Sequence, residues 1–162
     1  MEKKMTALWH YLEKEKNGWK KILPFLFFWF IGLQVYLYFV LYSIRIINIK
    51  FIGFRMLFVL LCCSIVEEAA FRFTPFYLAH LFFKKRLRQA TFIGLIFISG
   101  ILFGILHPGV RRLWVQGVEG ILFGMIYCKL GGIKGKILKP YSICILFHLC
   151  VNIFIISLFS LR

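Results

Sequence analysis

Aspartate occurs nowhere in the 162 residues, and acid of any kind is scarce: six glutamates stand against 21 lysines and arginines, a net charge of +15. Such an excess could signal nucleic acid, but the basic residues gather in short polar stretches between apolar runs and are not interleaved with stacking aromatics. That distribution excludes nucleic acid as the partner and fits membrane topology. Cysteine pairs of the CxxC type are also missing, so Cys62, Cys63, Cys128, Cys144 and Cys150 are expected to be small apolar fillers, not a cysteine metal site. No internal repeat and no low-complexity linker interrupts the chain, and the missing repeat argues against a transporter built from two inverted halves. The first apolar run is too long for the hydrophobic part of a signal peptide and lacks a small-residue cleavage site, so it reads as a retained anchor.

What remains is overwhelmingly apolar: 61% of residues are hydrophobic and 19% aromatic. Long apolar runs rather than short alternating ones imply helices, because lipid tolerates backbone only when its hydrogen bonds close internally. The expected fold is all-α, a polytopic membrane helix bundle of about five spans plus a short N-terminal interfacial helix. Met5, Leu8, Trp9 and Leu12 recur at helical spacing within residues 1–21, which predicts a cytoplasmic amphipathic segment lying on the membrane surface. Residues 22–162 form a single transmembrane domain, with spans at about Ile22–Tyr42, Ile52–Phe73, Ala90–His107, Leu113–Leu130 and Tyr141–Leu161. Fourteen of the 21 basic residues lie in 3–21, 84–88 and 129–139, which predicts that the amino terminus is cytoplasmic, in the cell membrane.

A charge at the bilayer centre costs roughly 2.5 to 3.5 kcal/mol on insertion scales, so the polar residues inside these spans need partners or work. They are Glu67, Glu68, Arg72, His107, Glu119, His148 and Asn152. Glu68 and Arg72 are four apart and share one helix face, so Arg72 can hold Glu68 while Glu67, about 100° round the helix, is left for chemistry. Phe103 and His107, and His148 and Asn152, have the same spacing. Three polar faces on three helices hide best against one another, and the pocket they would line has the parts to polarise a water and steady an oxyanion. Glu119 is expected to face that pocket as support, and Gly120 with Gly124 reads as a close packing face. One condition attaches. Glu67 lies near the cytoplasmic end of its span and His107 at the far end of the next, roughly 25 Å away at 1.5 Å per residue. They can meet if the second helix runs on through Pro75 to about Phe83, which is the preferred reading, or if the third is tilted or begins late.

"EEAAFR" at 67–72, "FGILH" at 103–107 and "HLCVN" at 148–152 resemble, in order, the EExxxR, FxxxH and HxxxN motifs of the CAAX protease and bacteriocin-processing family, the Abi family of intramembrane proteases. The resemblance covers about 54–159 and implies hydrolysis of a peptide bond in a membrane-associated peptide or protein. It implies Glu67 as the base that activates water, assisted by His107, with His148 and Asn152 supporting the oxyanion and Glu68 and Arg72 holding the helix. The family is commonly described as metalloproteases, so the resemblance leaves two routes open: zinc on Glu67, His107 and His148, or no metal. The short chain carries one span ahead of the core, fewer than the eukaryotic CAAX-processing relatives. Two other function classes stay in view: a small transporter or proton relay through Glu67, His107, Glu119 and His148, and a catalytically silent immunity or scaffold protein.

Overall fold

A computed structural model describes residues 2–14, 19–42, 53–83, 85–107 and 113–158, and every regular element among them is helical. The helices are α1 (Glu2–Glu13), α2 (Trp19–Tyr42), α3 (Phe54–Glu68), α4 (Thr74–Phe82), α5 (Lys85–Leu106), α6 (Val118–Lys129) and α7 (Leu138–Leu158). Two π-helical turns, Ala69–Phe73 and Leu113–Gly117, lead into α4 and α6, and a 3₁₀ turn spans Gly132–Lys134. Pro108, Gly109, Arg111 and Arg112, and the expected end of the last span at Leu161, lie outside the described residues. By length and composition, two described stretches can cross a bilayer, Gln89–Leu106 and Leu138–Ile156.

The chain divides into two units, one of Met1–Asn17 with Glu67–Cys144, the other of Gly18–Val66 with Ile145–Arg162. The first unit has an aromatic core. Phe76 meets Phe92 at 5.6 Å and Tyr127 at 5.5 Å between ring centroids, and Phe92 also takes the edge of Trp9 at 6.2 Å. Helix α1 therefore turns its apolar stripe onto the protein itself: Leu12 is fully buried. Lys129, counted above among the loop cations, is buried as well; its Nζ donates to the Tyr11 carbonyl oxygen and lies 3.7 Å from the Tyr11 ring centroid. Burial of a lysine is tolerated only with such partners.

Helices α5 and α6 touch where each offers a glycine. A Cβ on Gly120 would fall 2.8 Å from the Gly100 Cα, and one on Gly100 would fall 2.5 Å from Ile121 Cγ1 and 2.8 Å from the Ile121 backbone nitrogen. The small-residue face expected at Gly120 is real, but Gly100 is its tightest member; a Cβ on Gly124 would make an ordinary 3.4 Å contact with Ile96. Gly100→Ala should thus lower stability by about 1–3 kcal/mol through forced separation of the helices. Gly94→Ala, with open space around it, should be neutral or stabilising, and thermal melts in detergent compare the two.

In the second unit, Phe30 of α2 packs edge-on against Phe147 and Phe154 of α7 at 5.9 and 6.2 Å. All five cysteines are free; Cys128 and Cys144 are buried fillers as expected, whereas Cys62, Cys63 and Cys150 are exposed.

Candidate active site

The helix that carries the paired glutamates does continue past Pro75. Proline has no N–H and its ring crowds the carbonyl four residues back, so an α-helical turn through Phe71 would be strained. The chain widens instead: Ala69–Phe73 is π-helical, the Thr74 N–H reaches the Ala69 carbonyl five residues back, and Pro75 starts α4 where a missing N–H costs nothing. The helical path runs from Phe54 to Phe82, the preferred solution to the depth problem.

Within the π turn, Arg72 points back at Glu68 with Nη1 3.4 Å from Oε1, and both side chains are fully buried. The remaining guanidinium surface faces rings: its carbon lies 4.7 Å from the Phe103 centroid, 5.3 Å from Phe123 and 5.9 Å from Phe71. Gly120 makes room for it, since a Cβ there would sit 3.2 Å from Nη2. Arg72 thus sits in an aromatic cage beside the Glu68 carboxylate, at the i, i+4 spacing that led one to expect the pair.

Glu67 behaves differently. Its side chain keeps 26% exposure and His107 keeps 24%, with Oε1 and Nε2 3.8 Å apart. The tautomer of His107 follows from its other nitrogen. Nδ1 lies 2.7 Å from the Phe103 carbonyl oxygen, which can only accept, so Nδ1 carries the proton. The Nε2 of the same ring faces the Glu67 carboxylate at a distance too long for a direct hydrogen bond. The Phe103 ring, 4.7 Å from the imidazole and set edge-to-face, holds it in place.

His148 and Asn152 lie one turn apart on α7, in the second unit, where His148 is buried. The Asn152 Nδ2 donates to Ser64 Oγ at 3.4 Å, and Ser64 is fully buried. Nothing in the motif pattern singled Ser64 out, although a serine one turn before Glu68 in an apolar helix was a signal that could have done so. Glu119 is buried at the start of α6. Glu67 and His107 offer zinc-type donors, but a catalytic zinc usually takes three protein ligands. Among the described residues no group of three His, Cys, Asp or Glu side chains forms a metal-binding set.

A family model described as Type II CAAX prenyl endopeptidase Rce1-like matches residues 49–154, a stretch that contains all three motifs and Ser64. No curated protein and no solved structure matches the chain.

Proposed function

Because the chain belongs to the Rce1-like family of type II CAAX prenyl endopeptidases, integral-membrane proteases, we propose that it hydrolyses a peptide bond of a membrane-associated protein through a water activated by Glu67. The observation that carries this reading is the pairing of Glu67 Oε1 with His107 Nε2, 3.8 Å apart and each about a quarter exposed. A water bridging them gives one proton to each as hydrogen bonds. In the reaction Glu67 takes a proton from that water as its oxygen attacks the scissile carbonyl. The carbon–oxygen double bond becomes a single bond and its oxygen an anion. Collapse of that intermediate breaks the C–N bond, and the proton held by Glu67 passes, directly or through His107 Nε2, to the leaving amine. Following the family resemblance, we assign His148 and Asn152 as donors to the oxyanion and Glu68 with Arg72 as the clamp of the helix.

Purified protein in lipid nanodiscs should release a labelled fragment from a membrane-anchored peptide; absence of cleavage of any such peptide would favour a silent scaffold. Asn152→Ala should lower that turnover about 100- to 1000-fold while leaving the protein folded, as expected for loss of one oxyanion donor. In a proton relay the same change should be mild, since a carboxamide does not titrate.

Zinc held by Glu67, His107 and His148 is the alternative form of the same proposal, and would supply Lewis-acid activation of the water. Cleavage abolished by a chelator and restored by Zn²⁺ assigns the metal; cleavage unchanged by the chelator assigns the metal-free route. The proposal carries five crossings with a cytoplasmic amino terminus, which reporter fusions after each span would check.

A further inference from the structure

We propose that Ser64 is a positioning residue for the Asn152 carboxamide. The inference rests on the reading of Asn152 as an oxyanion donor and adds to it a residue outside all three motifs. Ser64 is fully buried in an otherwise apolar stretch of α3, where an unpaired hydroxyl would be costly, and the partner it meets is Asn152 Nδ2, 3.4 Å away and 88 residues distant in sequence.

The chemistry of the pair gives it a direction. In the structure Asn152 Nδ2 donates and the Ser64 oxygen accepts. An oxygen that accepts selects the NH₂ side of the Asn152 amide over its carbonyl side, and so sets which way the carboxamide is flipped. One N–H is then engaged by Ser64. The second N–H, rigidly placed by the first, is the one available to a developing oxyanion. Without Ser64 the amide can rotate and present its oxygen, an acceptor, where a donor is required. Ser64 precedes the first motif by one turn of α3, outside any of the three motifs.

The test is a double-mutant cycle in nanodiscs on the labelled membrane-anchored peptide, with melting curves for every variant. Ser64→Ala should lower kcat about 3- to 10-fold with KM unchanged, Ser64→Thr, which keeps the hydroxyl, should restore most of it, and Ser64→Ala should cost nothing further once Asn152→Ala is present. A loss that persists undiminished in the Asn152→Ala background, or that follows a fall in melting temperature alone, would overturn the positioning role. So would an unaffected Ser64→Ala beside an impaired Asn152→Ala, and that outcome leaves the oxyanion reading standing. Wild-type turnover in Asn152→Ala would instead sink that reading, and the positioning role with it.

Discussion

Glu67→Gln should leave a folded protein that cleaves about 100 to 10,000 times more slowly, the range over which removal of a positioned general base is felt. The expectation follows from the contrast between neighbours. Glu67 is a quarter exposed and faces His107 Nε2 at 3.8 Å, so its amide replacement sits where water reaches it. What it loses is the ability to take a proton, which an amide cannot do. KM should change little, because the ground state asks only for a place to rest a peptide. Turnover of the labelled peptide with parallel melting curves is the measurement; a Glu67→Gln enzyme within tenfold of wild type would remove Glu67 as the base. His107→Gln, which keeps a donor but no titratable nitrogen, should fall in the same direction.

Much of this site could be read from spacing alone, for a physical reason. Residues four apart in a helix must lie one above the other, so Glu68 with Arg72 and Phe103 with His107 had to be neighbours in any helical fold, and they are. The continuation through Pro75 is favoured because it lets Glu67 reach the depth of His107, whereas the apolar run to Phe83 by itself suits a turn along the interface equally well. The π turn that makes it possible was not readable: it depends on how five consecutive carbonyls rearrange around one missing N–H, and no residue type announces that. Lys129 misled for a different reason. Loop lysines usually sit in water, and only the docking of α1 supplies the Tyr11 carbonyl and ring that let this one be buried. Ser64 and Gly100 act through partners distant in sequence, Asn152 and Ile121, and a single residue gives no hint of such a partner. Local periodicity finds contacts within a helix, while contacts between helices are left to packing.

The largest stability effects should come from splitting the Glu68–Arg72 pair by either single change, Glu68→Gln or Arg72→Met. Both side chains are fully buried, and removal of one partner leaves the other as an uncompensated charge, at a cost of about 3–5 kcal/mol. Arg72 left without Glu68, in Glu68→Gln, keeps its buried charge because a guanidinium does not deprotonate. Glu68→Gln should therefore be damaging, softened only by the rings of Phe103, Phe123 and Phe71 around the cation. The double variant Glu68→Gln with Arg72→Met removes both charges and should regain most of the lost stability, since a buried pair exchanged for uncharged groups of similar volume is often near neutral. Melting temperature and folded yield in detergent measure all three. A double variant as unstable as the worse single would mean that the guanidinium serves by its shape among the rings. Recovery would mean that the buried ion pair is dispensable for stability, and the cleavage rate of the recovered double would then show whether the charges also act on the neighbouring Glu67.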